Sequence, residues 1–557
     1  MRFCASGSLL CGSVLLLLLV APSPAAAQKI TVANTDPNMA VQGTINLDVT
    51  INGSGYKHGA KAHWFVTGTT NPGGVTVNST SYVSSSQLTA NITVAVDAAI
   101  SGFDVQVANA DGRTGVGIDA FTITEGHCSV TTPAGFTLVD TLNKIVDGAP
   151  QYTRFAQALR MRAWTVNGRK VLVVAVGNFM STLEFFFLDP ATGQILDNTV
   201  IGSTSGQVQP HLSLPAPANT RFLVAGDVNG DGVPDFLAAD YVSSTVRAWV
   251  GSVNSGILNY QAIPLTNPEG LENFGYSMAM GDLDSDGSDE IAVSALDAII
   301  PIKQSGKVYL FRFNGVGFTR VQTIPSPLPN RQKDEMFGTG IAIGDVAGAP
   351  GNDLIVGAPG TNVNGNPGAG RAIVFTSPLS NPQPAFSLSS GGSGDNFGGR
   401  VLMAKVTGAS TDLVSFLEMP FSAGTKAQVF SALVYSGESP TFTLLPDPVL
   451  NGGWATQGWE AADLNGDGRT EVLVGAPNST TGGCSTSGGA ANVYLTDPLN
   501  PANPPTRYTL QVPAGFDTVR FGWGVTAVNG SRIFLVGDNG NSLGGVSAGQ
   551  VFIYKLN

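Results

Sequence analysis

The feature that most constrains this chain is a pattern that repeats along it. Asn273-Phe274-Gly275 leads into Gly281-Asp282, and Met336-Phe337-Gly338 leads into Gly344-Asp345. Asn396-Phe397-Gly398 leads in the same way into Lys405, and Arg520-Phe521-Gly522 into Asn529. In each case the Phe stands eight positions before the Asp or its substitute. Apolar runs follow: Ile291-Ala292-Val293, then Leu354 to Pro359, Val472 to Pro477 and Ile533 to Gly537. Further runs close a unit, as in Gly306 to Phe311, Phe318 to Thr323 and Gly549 to Tyr554. A unit therefore reads as four short strands over roughly sixty residues, longer than an ordinary propeller blade. Starts fall near 155, 218, 273, 336, 396, 454 and 521, which predicts seven units. The first unit is degenerate and is recognised from Val171 to Val174 after Asn167-Gly168. The 70 Gly and 33 Pro, without a collagen-like period, agree with many tight turns and an all-β fold.

The last unit stops one strand short, at Asn557. Upstream of the first unit, Gly135-Phe136-Thr137-Leu138-Val139-Asp140-Thr141-Leu142 resembles the fourth-strand run from Gly317 to Ile324. The early segment is thus expected to supply the missing outer strand and close the ring, because an open ring would leave strand edges unpaired.

Three units carry an acidic loop between their first and second strands. The predicted ligands are Asp227, Asn229, Asp231, Val233 and Asp235 in one, and Asp282, Asp284, Asp286, Ser288 and Glu290 in another. The third has Asp463, Asn465, Asp467, Arg469 and Glu471. Side-chain oxygens at positions 1, 3 and 5 can converge, Gly at 6 allows a sharp turn, and position 7 offers a main-chain carbonyl. The carboxylate at 9 can bind in bidentate fashion. Oxygen donors without Cys or His point to calcium, about three ions, rather than zinc. These loops hold eleven acids, nearly the whole formal charge of -12. That charge argues against nucleic acid as a partner. A solvated Asp-Gly turn is the plain alternative for one such loop, but three in one phase of a repeat argue for metal. In the other units Ala347 and Ala349, Lys405, or Asn529 replace ligands, and plain turns are expected there.

On the Phe-Gly, Gly-Ala-Pro and Asp-x-Asn/Asp-x-Asp-Gly elements, residues 155–557 resemble the FG-GAP repeat propeller of the integrin α-subunit head. The resemblance implies a seven-bladed β-propeller with structural calcium on one face and ligands on the other. The opposite-face loops would include 360–370, 478–489 and 537–549. Residues 28–125 differ in texture. Ile45 to Ile51 and Phe103 to Val107 alternate as half-buried strands, with turn signals at Asn52-Gly53 and Asp111-Gly112. Gly53-Ser54-Gly55-Tyr56 through Gly59-Ala60, with Gly102 to Val105 and Asn109 to Gly112, resembles IPT/TIG-type domains. An N-terminal immunoglobulin-like β-sandwich is expected, with residues 126–154 as linker and closing strand.

Residues 1–27 read as a signal peptide: Arg2, an apolar stretch from Leu9 to Val20, and a small-residue cleavage site at Ala25-Ala26-Ala27. An uncleaved anchor is the alternative. No later segment approaches a membrane span, so a secreted or surface location is expected, the periplasm included. Removal of the leader leaves Cys128 and Cys484, either one disulfide or two isolated thiols. His58, His63, His127 and His211 lie in no triad-like or zinc-type context. Gly540 to Gly544 matches G-x-S-x-G, but in a Gly-rich loop rather than a strand-to-helix elbow. Trp454, Trp459 and Trp523 near unit starts read as packing between blades. The reading is an exported calcium-binding scaffold for an extracellular protein or glycan ligand, not an enzyme. The alternatives are a polysaccharide- or lipid-degrading enzyme and a non-binding surface-layer component.

Overall fold

The computed structural model describes residues 29–557 except 43, 45–46, 96–97, 125–131, 143–144, 147–148, 151–154, 179–180, 198–210, 297–305, 328–334, 347–350, 377, 390–391, 408–411, 419–429, 437–438, 445–457, 478–488, 498, 501–502, 504, 513–519 and 541–548. Every regular element among the described residues is a strand. The chain divides into two compact units, Met1–Gly126 and His127–Asn557. The proposed leader, Cys128, Cys484, His127 and Trp454 lie outside the described residues.

The first unit holds strands β1 (Thr31–Asp36), β2 (Met39–Val41), β3 (Leu47–Ser54), β4 (Lys61–Val66), β5 (Val75–Ser84), β6 (Gln87–Val94), β7 (Ser101–Ala108) and β8 (Thr114–Thr124). They form two four-stranded sheets, ordered β1-β3-β6-β5 and β2-β8-β7-β4. Alternation gives each sheet one apolar face: in β6, Leu88, Ala90, Ile92 and Val94 are buried in turn. These faces share one core, in which Trp64 meets Phe121 edge-on at 5.9 Å. Asn52-Gly53 is a correction to the sequence reading. It is not a turn but the end of β3, paired with β1 across a bulge. A Cβ on Gly53 would stand 1.9 Å from the Thr31 carbonyl, so the glycine serves close strand approach.

Among its described residues the second unit holds one two-stranded pair, Ile145–Val146 with Ala149–Pro150, and seven four-stranded antiparallel sheets. Their first strands are Ala158–Val166, Phe222–Gly226, Phe274–Gly281, Ile341–Gly344, Arg400–Ala404, Trp459–Ala462 and Phe521–Ala527. Each of these contacts the next, and the last returns to the first, so the sheets form the closed ring of a β-propeller. We number the sheets as blades 1 to 7 in that order. Second strands such as Asp235–Asp240 and Glu290–Ala295 are buried along their whole length, which is why they read as apolar runs rather than alternations. Outer strands such as Phe318–Pro325 are largely solvated.

Phe136–Leu142 forms the outer strand of blade 7, with Phe136 opposite Leu556 and Leu142 opposite Val551. Leu142, Leu535, Ile553, Val174 and Phe186 then share a core between blades 7 and 1. The recurring Phe-Gly motif has a local physical cause. Phe274, Phe337, Phe397 and Phe521 are fully buried. The glycine after each has positive φ, as at Gly398 (87°) and Gly522 (88°). A side chain there would collide with the adjacent blade: Cβ on Gly475 would lie 1.8 Å from the Gly522 carbonyl, and Cβ on Gly357 1.8 Å from that of Gly398. The Phe-Gly glycine of one blade and the Gly-Ala-Pro glycine of the blade before it are thus a backbone-to-backbone contact that tolerates no Cβ.

Candidate metal centres

All three acidic loops are hairpins between first and second strands, so they emerge on one face of the ring. Their internal bonding is nearly the same. The first Asp accepts from the N–H of position 6: Gly232 to Asp227 at 2.8 Å, Gly287 to Asp282 at 2.9 Å, Gly468 to Asp463 at 3.0 Å. The fifth-position carboxylate accepts from the N–H of position 7: Val233 to Asp231 at 2.8 Å, Ser288 to Asp286 at 2.9 Å, Arg469 to Asp467 at 2.8 Å. The glycine at 6 makes this wrap possible, with φ of 79°, 90° and 85° at Gly232, Gly287 and Gly468. The backbone therefore curls around the carboxylates of positions 1 and 5 in each hairpin. In the second hairpin, oxygens of Asp282, Asp284 and Glu290 all lie within 4.8 Å of one another. An all-oxygen, anionic set of this kind fits a hard divalent cation such as calcium. The ion would supply charge neutralisation and cross-link positions 1, 3, 5 and 9.

The ninth carboxylate has a second task. One oxygen accepts from the N–H of position 2: Val228 to Asp235 at 2.7 Å, Leu283 to Glu290 at 2.9 Å, Leu464 to Glu471 at 2.8 Å. The other takes a donor from the third strand side: the Gly251 N–H to Asp235 at 2.6 Å, Arg312 to Glu290, and the Thr496 hydroxyl to Glu471 at 2.8 Å. All three carboxylates are buried. Burial pushes the Asp235 carboxyl up to about 7 and raises those of Glu290 and Glu471 as well.

Position 8 carries no ligand in the sequence reading, yet it joins the hairpins. The Asp289 N–H donates to the Asp227 carbonyl at 2.7 Å, and the Asp227 N–H donates to the Asp289 carboxylate at 2.8 Å. Thr470 does the same to Lys405, at 3.2 and 2.6 Å. Asn352 donates its amide to the Asp282 carbonyl at 2.7 Å. Asn529 and Gly530 clasp Asp463 similarly, each at 2.9 Å. The hairpins of blades 3, 4, 6 and 7 are thereby each tied to the one on the preceding blade. For Asp289, Asn352 and Thr470 the sequence signal is a side chain able to bond backbone beside the recurring acid of position 9, whereas Asn529 stands at position 1 of its shortened loop.

Loop 345–353 retains Asp353, fully buried and bonded to the Val346 N–H at 2.7 Å. Ala347 and Ala349 lie outside the described residues. A cavity of about 530 Å³ follows the ring axis and is lined by first strands of all seven blades, with Met161, Met280 and Met403 beside Arg160 and Glu460. Arg160 and Glu460 pair at 3.7 Å.

On the opposite face, Tyr241 and Tyr276 meet at 5.0 Å. Arg221 lies over Tyr241 at 5.5 Å and Arg400 over Tyr276 at 5.9 Å. Loop 360–370 joins the second and third strands of blade 4 on this face, while most of 478–489 and 537–549 lies outside the described residues. Trp459 belongs to a core shared by blades 5 and 6, and the Trp523 indole donates to the Gln157 carbonyl of the neighbouring segment at 3.1 Å. His211 is held by the Leu196 carbonyl at 2.6 Å, and burial lowers its pKa. Among the described residues no helix is long and apolar enough to cross a membrane.

Comparison with known proteins agrees with the repeat structure. Residues 227–293 match the FG-GAP-like repeat and residues 460–495 the FG-GAP repeat. Over 153 residues the chain is 31% identical to integrin alpha-PS3 of Drosophila melanogaster, covering 25% of this chain and 13% of that protein. Integrin alpha-PS5 of the same organism is 30% identical over 153 residues, covering 25% and 14%. The chain therefore spans about an eighth of the length of these relatives. Among solved structures, a mutant of the Aleuria aurantia lectin in complex with alpha-methyl-L-fucoside aligns with a TM-score of 0.35 at 10% identity, covering 66% of this chain and 98% of the lectin. The alpha-L-arabinofuranosidase Arb93A from Fusarium graminearum aligns with a TM-score of 0.33 at 8% identity, covering 75% and 98%. The second unit is a β-propeller carrying FG-GAP repeats and similar in part to integrin α chains.

Proposed function

We propose that this chain is an exported, seven-bladed binding scaffold, with structural calcium in three hairpins and a protein or glycan ligand on the opposite face. The observation that carries this reading is the repeated hairpin geometry, each loop curled around its own carboxylates and tied to the neighbouring blade. Calcium there stiffens blade junctions, and the Arg221–Tyr241–Tyr276–Arg400 cluster offers guanidinium and aromatic surface on the other side. The location outside the cell is supported by the leader-like residues 1–27 and by partial similarity to integrin α chains. The N-terminal unit is read as an immunoglobulin-like module. Its sheet orders, with the first strand divided between sheets, support that reading.

The role is non-catalytic binding: the four His lie in no triad-like context, and the sequence nominates no acid–base pair among the acids outside the hairpins. The deciding experiment is binding of the purified chain to glycan and protein arrays with and without calcium. Tyr276→Ala and Arg400→Gln should abolish capture while leaving bound calcium unchanged. Turnover on a polysaccharide or phospholipid panel, or arrays silent in both conditions, would overturn the proposal.

A further inference from the structure

The second hairpin keeps different company from the other two. Its side-chain ligand set has four carboxylates, Asp282, Asp284, Asp286 and Glu290, where the others have three and an Asn. On the third strand of the same blade stands Arg312. Its Nε donates to Glu290 at 2.8 Å, a terminal nitrogen lies 2.7 Å from the same carboxylate, and the guanidinium also pairs with Asp284. Strand register fixes what the other blades place there. Phe311 pairs with Ile291, Trp249 with Phe236 and Tyr494 with Val472, so Val250 and Leu495 occupy the position of Arg312. In those blades the ninth carboxylate is met by neutral donors, the Gly251 N–H and the Thr496 hydroxyl. Once the guanidinium is counted, the three cages carry equal net charge.

We propose that Arg312 is a resident cation of the second hairpin. It holds Asp284 and Glu290 in the absence of metal, so this hairpin stays closed without calcium and is the weak site of the three. The inference rests on the calcium reading of the hairpins. Its physical basis is competition. A divalent ion entering the second cage meets two ligands already paired to a group that keeps its proton at any working pH, and it must displace that group or bear its repulsion. At the other two hairpins, among the described residues, the ninth carboxylate is held by neutral donors rather than by a guanidinium.

The test is calorimetric titration of the full chain with calcium chloride after chelation. The wild type should show two tight sites and a third at least about tenfold weaker, the scale set by losing one close ion pair. Arg312→Gln should bring the third site to the strength of the others, and Arg312→Lys should leave it weak. Hydrogen exchange on the calcium-free wild type needs no variant. Amides of 283–288 should stay protected while those of 228–233 and 464–469 lose protection. Three equal sites in the wild type, no change in Arg312→Gln, or equal loss of protection in all three hairpins would overturn the inference and leave the calcium reading standing. No calcium binding at all would instead overturn that reading, and the inference with it.

Discussion

The hairpins 227–235 and 345–353 have the same frame and different contents. Both place a buried acid at position 9, and both spend one of its oxygens on the N–H of position 2, at 2.7 Å in each case. Only the first has oxygen-bearing side chains at positions 3 and 5, whereas the second has Ala347 and Ala349. The difference separates two roles that the sequence motif merges. Position 9 caps the hairpin in both loops, while the oxygen-bearing side chains at positions 3 and 5 are confined to the loop proposed to hold an ion.

The largest effect should come from chelation. Each site held at a hundredfold its Kd contributes ~2.7 kcal/mol, so EDTA should lower the melting temperature by several degrees at neutral pH. The effect should shrink in acid. An unfolded Asp titrates near ~3.9, while burial holds Asp235 at about 7 in the folded chain. Between those values the folded state keeps a proton that the unfolded state has lost, so metal-free stability is greatest below ~4 and declines as pH rises toward about 7. Melting curves in EDTA that rise with pH over that range would contradict this. Asp353→Ala should cost about 1–3 kcal/mol, the penalty for an orphaned buried N–H, with calcium stoichiometry unchanged. Asp467→Ala should do the reverse, losing one ion while the metal-free melting temperature moves little. A smaller effect is expected from Thr470→Val, which removes one oxygen of the tie to Lys405 and should cost ~0.5–1.5 kcal/mol, read in urea. Finally, Ala347→Asn, Ala349→Asp and Pro350→Gly together should give the fourth hairpin an ion, counted by the same titration.

Much of this architecture could be read from residues. Phe-Gly and Gly-Ala-Pro mark positions where backbones of adjacent blades touch, and only glycine satisfies that contact, so the signal repeats in fixed letters. The strand at 136–142 was legible because its turn and alternation copy a fourth strand. What escaped were features that bond through the backbone or across register. Asp289, Asn352 and Thr470 make one kind of tie with three residue types, so no pattern advertises it. Arg312 sits in Lys307–Phe313, a strand whose text gives no hint that its sixth residue reaches the acidic hairpin. Asn52-Gly53 misled because a dipeptide typical of turns is equally suited to a crowded strand pair.

Joining Phe136–Leu142 to Gln550–Leu556 also has a consequence in time. About 410 residues are made between the two partners, which at ~5–20 residues per second means roughly 20–80 s of waiting during synthesis. Throughout that interval the early segment is a bare edge, open to pairing with a wrong neighbour. Its sequence tempers the hazard: Thr137 and Asp140 point to solvent in the finished protein, and a bulge at Ile553/Tyr554 takes up the irregular register opposite Asp140. This short stretch must therefore stay unpaired without aggregating while the chain is still being translated, and still pair in register in the finished molecule.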